Sequence, residues 1–416
     1  MTASHPLPTV NDLFFQPLAG LADQSPHSSP HPDFSDQNYL SLGVQRILES
    51  SETGRGFLQE HGVRYAAPTH STYFYAFKSQ RRLEMLEDAS RALLAATDSQ
   101  VSDRLASLPE LHRYECFAMD GHWHKAAAHD ARHEGTKMAV GHFYSLNLRT
   151  HGLRHLTAGE GLHEHDLSAL KRIKPKGLRA GVPKGTRALI IYDKAAIDYA
   201  FWNRCRQECA IYFLSRVKAG MVFAWVCEQE WDRTDPNQFG ITGDRLVKTK
   251  QGHSMRLVDY TDPRTGETYQ FLTNEMDLSP GVLAELYRRR WQAEKVFDEI
   301  KNKLGQTKAW ASSLTAKAAQ AKLIAITHNL LVIYEQKLEQ EHGVKNEAED
   351  KRRAKRAESA RRTCAALGRP INPFIGEAQQ ASQRSVKLIR WLRDSIHTGV
   401  AEGAAVFQLK ALYARL

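Results

Sequence analysis

The stretch Arg187-Ala188-Leu189-Ile190-Ile191-Tyr192-Asp193 constrains the fold of this chain more than any other. Its unbroken apolar run predicts a strand buried on both faces, and such a strand needs packed layers on either side of its sheet. The chain around it supplies candidates for those layers. Residues 197–209 read as a helix, and Ile211-Tyr212-Phe213-Leu214-Ser215-Arg216 as a further strand. Upstream, Tyr114-Glu115-Cys116-Phe117-Ala118-Met119-Asp120-Gly121-His122 is an apolar run closing on Asp-Gly, with Asp120 at or near the strand end. Residues 137–148 and 153–157 continue as two strands of an antiparallel meander, and residues 166–173 look helical. The predicted order is three strands, a helix, a strand, a helix and a strand.

The remaining segments frame that α/β unit. Residues 1–36 are rich in Pro, Ser, His and Asp, a composition too poor in apolar surface to offset its ordering entropy, so they read as a loose, disordered tail whose one apolar cluster, Leu13-Phe14-Phe15, could dock on the body. Residues 37–110 form a helical N-terminal region. Within it His70-Ser71-Thr72-Tyr73-Phe74-Tyr75-Ala76-Phe77-Lys78-Ser79-Gln80-Arg81-Arg82 interleaves aromatics with cations. That pattern suits either a nucleic-acid surface or a core with a solvated rim. Residues 219–278 return to β alternation, with a turn at Asp262-Pro263-Arg264-Thr265-Gly266. Residues 341–416 comprise a charged linker and C-terminal helices. Their apolar positions Val386, Ile389, Leu392 and Ile396 suit either self-association or packing on the same chain.

Composition narrows the partners. With 416 residues there is room for two or three domains, and a formal net charge of +10 with pI near 9.3 favours a polyanion. Five cysteines without a Cys-x-x-Cys pair suit a reducing, cytoplasmic setting. No apolar run approaches the ~18 residues of a membrane span, and the N-terminus lacks a secretory pattern, so the chain is expected to be soluble and intracellular.

The most specific motif lies downstream of Ser279-Pro280-Gly281, where a single helix is predicted to begin. At about 100° per residue, Tyr287, Arg290, Glu294 and Lys301 share one face. Leu286, Ala293, Phe297, Ile300 and Leu304 form the adjoining apolar stripe, and Arg288, Lys295, Glu299, Asn302 and Lys303 lie on the far side. The spacing Tyr287-x-x-Arg290-x-x-x-Glu294-x-x-x-x-x-x-Lys301, with Phe271-Leu272-Thr273-Asn274 before it and Arg290-Trp291 inside it, resembles the YREK signature of DDE transposases of the insertion-sequence-four family.

That resemblance implies an RNase H-like catalytic domain (residues 111–218 and 279–340), a mixed five-stranded sheet flanked by helices and interrupted by the β-rich insertion at 219–278. Its first and fourth strands lie side by side, which would bring Asp120 and Asp193 together. By the same resemblance Asp120, Asp193 and Glu294 are the catalytic carboxylates, holding two Mg²⁺ (or Mn²⁺) ions. Tyr287, Arg290 and Lys301 then contact phosphates near the cut end, while Trp291 stacks on a base or joins the core. The implied partners are double-stranded DNA (inverted-repeat ends and target) and a second copy in a paired-end complex. The implied activity is cleavage and strand transfer by a DNA transposase.

The residue types suit that chemistry. Hard divalent cations take oxygen ligands, and Arg forks onto phosphate. Three alternatives stay open: an RNase H-fold nuclease without strand transfer, a descendant that only binds DNA, and a basic scaffold protein, which would not explain the ordered carboxylates. A zinc site from His122, His124, His129 and His133 has spacings of no standard finger. The chain also departs from the family where Gly121-His122 follows Asp120 and Lys194-Ala195-Ala196 follows Asp193.

Overall fold

The computed structural model describes residues 7–31, 33–49, 53–64, 67–159, 164, 166–345, 347–376 and 384–414. Its sheet strands are β1 (Tyr114–His124), β2 (Val140–Asn147), β3 (Leu153–Ala158), β4 (Arg187–Tyr192), β5 (Ile211–Arg216), β6 (Ala224–Glu228), β7 (Ile241–Lys248), β8 (Ser254–Thr261) and β9 (Thr268–Thr273). The helices are α1 (Val10–Phe15), α2 (Asp36–Leu48), α3 (Gly54–Arg64), α4 (His70–Ala76), α5 (Gln80–Gln100), α6 (Asp166–Leu178) and α7 (Tyr199–Cys209). After the last strand come α8 (Pro280–Arg289), α9 (Trp291–Asn302), α10 (Leu314–His342), α11 (Glu347–Ala366), α12 (Pro373–Gly376), α13 (Val386–Thr398) and α14 (Glu402–Ala414).

The strands form one nine-stranded mixed sheet in the order β3-β2-β1-β4-β5-β9-β8-β7-β6. Its first five members, with β2 antiparallel to its neighbours and β1, β4 and β5 parallel, have RNase H-like topology. The expected insertion does not stand apart from this sheet. Phe271 to Thr273 pair antiparallel with Leu214 to Arg216, so β6–β9 extend the sheet beyond five strands. The reason is that β5 would otherwise be an open edge with unmade backbone hydrogen bonds.

At the centre, Ala188, Leu189, Ile190 and Ile191 are fully buried, as their unbroken apolar run requires. Alternation splits them between two cores. Ala188, Ile190 and Tyr192 pack with α6 and α7 through Leu170, Phe201 and Trp202. Leu189 and Ile191 join the larger core under α2, α5, α8, α9 and α10. Asp198 caps α7 by accepting from Phe201 N at 2.8 Å.

The described residues of the first 36 depart from the loose tail expected of them. Val10 and Phe14, one helical turn apart in α1, are 0% and 1% exposed, and Val10 N donates to Val400 O. Two well-placed apolar residues suffice to dock a segment whose average composition is polar. The aromatic–cation stretch after His70 resolves as core with rim. Tyr73 and Phe77 are buried, and Arg81 and Arg82 both pair with Asp36. In the same way Ile389, Leu392 and Ile396 are buried in the chain's own core, so most of that face is spent internally, while Val386 is 43% exposed. No helix among the described residues is long and apolar enough to cross a membrane.

The histidines weighed for zinc do not assemble as a finger. His122 and His124 point into the core, whereas His129 and His133 are exposed. His122 and His124 instead start a buried row with His142 and His155, with successive ring centroids 5.0, 4.9 and 5.4 Å apart. Burial first, then neighbouring His122 and Lys317, push His142 down to about 3, and burial holds His124 and His155 well below the ordinary imidazole range. Unfolding frees these rings to take up protons near pH 6.5. Their contribution is therefore complete above pH 6.5 and is lost as pH falls from there toward about 3. Each such ring should cost about 1.4 kcal/mol per pH unit within that window. Urea midpoints measured at pH 7.5 and pH 5 should show a clear loss at the lower pH, reduced in His142→Leu.

Candidate active site

The parallel register sets the two aspartates side by side. Tyr114 to Ala118 pair one-to-one with Arg187 to Ile191, and continuing that register by two residues brings Asp120 level with Asp193. Asp120 is inside β1 rather than at its end, because antiparallel pairing to β2 continues as far as His124. What ends near Asp120 is β4. Asp193 follows it directly, and its carboxylate accepts from Lys194 N at 2.6 Å.

The motif helix arrives from the other core. Its start is clamped at Gly281, whose N–H donates to Gln238 Oε1 at 2.7 Å; a Cβ there would lie 2.1 Å from Asn237 O, so no other residue fits without a shift. The single helix expected is two segments, α8 and α9, meeting at Arg290. Arg290 keeps helical dihedrals (φ −50°, ψ −35°), but its N–H is shared between Leu286 O and Tyr287 O, a tightened turn. Leu286, Ala293, Phe297, Ile300 and Leu304 are all buried, which fixes the rotation of α9 and turns Glu294 toward the strand ends.

Arg290 then ties the carboxylates together. Its Nη2 donates to Glu294 Oε1 at 2.7 Å and its Nη1 lies 3.5 Å from Asp120 Oδ2. Burial pulls the Arg290 guanidinium down, but Tyr287, Asp120 and Glu294 outweigh it and the net direction is up. The Tyr287 ring packs on Phe271 of β9, with Arg290 beside it, and burial raises its phenol above the ordinary range. Trp291 is not core: it is 55% exposed at the rim of a cavity of about 460 Å³. That cavity runs from Asp193 and Tyr287 to Arg216, Tyr260 and Tyr269 of the extended sheet. Arg216 lies over the Tyr269 ring at 4.8 Å. The sequence reading did not single these three out; the available signal was the alternation that puts Tyr269 and Phe271 on one face of β9.

Lys301 is exposed and stands about 10 Å beyond Glu294 along the helix axis, two turns from the carboxylates. Of the far-side residues, Glu299 is fully buried instead of solvated. The carboxylates do not close into one ligand sphere. Among the described residues, the only three His, Cys, Asp or Glu groups with ligand atoms within 4.8 Å are Glu341, His342 and Glu402, at the far end of α10. The donor chemistry nevertheless fits hard cations, since Asp120 and Glu294 are partly exposed oxygen donors (23% and 33%) next to Asp193.

Fold and site together define an RNase H-like sheet with an acidic centre where its first and fourth strands meet a helix. Residues 157–330 match the family described as the transposase DDE domain. The match contains Asp193, Tyr287, Arg290, Glu294 and Lys301 and begins after Asp120. The chain is also 30% identical over 122 residues to "Putative transposase y4zB" of Sinorhizobium fredii, an alignment covering 28% of this chain and 34% of that protein. The chain thus spans about a third of that relative's length. Among solved structures, the piggyBac transposase synaptic complex with hairpin DNA aligns over 94% of this chain and 84% of that one, at TM-score 0.35 and 12% identity.

Proposed function

We propose that the chain is a DNA transposase that binds the inverted-repeat ends of its own element and cuts and rejoins DNA with Mg²⁺ (or Mn²⁺). The observation that carries this reading is the register that levels Asp120 with Asp193, with Arg290 linking Asp120 to Glu294 on the motif helix. Asp120, Asp193 and Glu294 would hold two divalent ions, which need not share one ligand sphere. When bound, such ions activate a water or 3′ hydroxyl and stabilise the charge on the phosphorus.

The chain's own residues do the rest. Arg290 offers its guanidinium fork to a phosphate once the carboxylates have other partners, and Tyr287 donates a single hydroxyl from its fixed position on Phe271. Lys301, set apart along the helix, contacts a more distant phosphate. Trp291, free at the cavity rim, stacks on a base. Two copies act on two ends, so that a catalytically dead copy leaves its own end uncut in a mixed complex.

The test uses short inverted repeats found in the DNA flanking the coding sequence. Full-length protein and Mg²⁺ should give cleaved ends and then joined products on a gel. Cleaved ends without joined products would leave a nuclease of the same fold, and no cleavage with specific binding a DNA-binding descendant. Affinity should also fall steeply with salt, with a log–log slope of about −0.9 for each phosphate neutralised. A flat salt profile in a binding titration contradicts the DNA assignment.

A further inference from the structure

Among the described residues, β6 is the last strand of the sheet and pairs on one side only, with β7. Its outer edge therefore presents backbone N–H and C=O groups that the sheet does not use. Soluble proteins blunt such edges with Lys, Pro or a covering element, because an open apolar edge recruits another strand. Here the edge strand reads Ala224-Trp225-Val226-Cys227-Glu228 after Met221-Val222-Phe223, with its one charge at the far end and no proline. Val222 and Trp225 are each 64% exposed and Val226 is 37% exposed, in contrast to the fully buried run of β4. One irregularity in the pairing to β7, between Trp225 and Cys227, leaves Val226 out of register.

Charge identifies the occupant. Ala224 pairs with Lys248 and Glu228 with Arg245, so the two ends of this edge differ in sign. Lys248 and Lys250 are exposed at the Ala224 end, and Glu228 and Glu230 at the other. Arg245 already pairs with Asp259. A strand laid antiparallel across a two-fold axis would put the basic end of one copy against the acidic end of the other, twice. That self-complementarity is what an isologous interface requires. A DNA backbone would find partners in Lys248 and Lys250 alone and would be repelled by Glu228 and Glu230, whereas a second copy pairs all four.

We propose that the outer edge of β6 is a self-association surface, on which a second copy of this chain pairs antiparallel through Ala224–Glu228 and the flanking Lys248, Lys250 and Glu230. The surface acts without DNA, so it does not rest on the functional reading above.

Sedimentation velocity over a concentration series, on the full chain without DNA, tests it. The wild type should be a dimer, and Trp225→Lys should be monomeric. The double reversals Glu228→Lys with Glu230→Lys, and Lys248→Glu with Lys250→Glu, should each weaken association at least tenfold. Mixing the two reversed proteins should restore it as a heterodimer, which also shows that both are folded. A monomeric wild type, a dimer indifferent to both reversals, or a mixture that stays monomeric overturns the proposal. So does a Trp225→Lys protein that keeps its mass but loses DNA binding, which would make this edge a DNA contact.

Discussion

Replacing Asp120 or Asp193 by Asn, or Glu294 by Gln, is expected to lower Mg²⁺-dependent strand cleavage by more than about 100-fold each, with end binding retained. Each change keeps side-chain shape and removes one metal-binding charge. The three should not behave alike on DNA. Arg290 donates to Glu294 at 2.7 Å but lies 3.5 Å from Asp120, so Glu294 is its closer counter-charge. Glu294→Gln should therefore release the guanidinium toward phosphate and bind DNA at least as tightly as wild type. Asp193→Asn, whose wild-type carboxylate accepts from Lys194 N while Arg290 turns to Asp120 and Glu294, should leave affinity unchanged. A cleavage gel and a binding titration on the same proteins measure both effects. Full cleavage by any one variant removes that residue from the site.

The parts of this arrangement that were legible in the sequence are those set by local pattern. The buried run at 188–192 specified a central strand, because an apolar run without polar alternation leaves no solvated face. The apolar stripe from Leu286 to Leu304 specified which way α9 faces, and so where Glu294 points. What the sequence could not show was non-local pairing. Nothing in residues 268–273 says that they lie against β5 rather than forming a separate sheet, since edge pairing depends on which backbone groups are left open. The docking of Phe14 was legible in the Leu13-Phe14-Phe15 cluster, whereas that of Val10 was hidden by the polar composition around it. Gly121 after Asp120 predicts a strand end there. Yet β1 runs on with β2, and only its parallel partner stops there.

Glu299 is the largest departure, and the second expected result concerns it. Helical spacing puts this residue on the side of α9 away from the motif face, a solvated position by any local rule. In the folded chain its carboxylate takes the Arg384 guanidinium at 2.6 Å and also accepts the Arg384 backbone N–H, 85 residues later, with both side chains almost fully enclosed. Burial pulls the Arg384 guanidinium down, but Glu299 and Glu335 outweigh it and the net direction is up. Removing one partner strands a buried charge, so Glu299→Ala or Arg384→Ala should lower stability by about 3–5 kcal/mol. Replacing both by apolar residues of similar volume, as in Glu299→Leu with Arg384→Met, should recover most of that loss. The consequence reaches the site, because Glu294 is five residues upstream on the same helix. A loosened α9 shifts Glu294 against Asp120, and a displacement of about 1 Å is enough to cost ~100-fold in rate. Cleavage by Glu299→Ala, assayed well below its melting temperature, should fall while end binding holds. A melting curve for Glu299→Ala that overlays the wild type would show that this pair does not hold α9 in place.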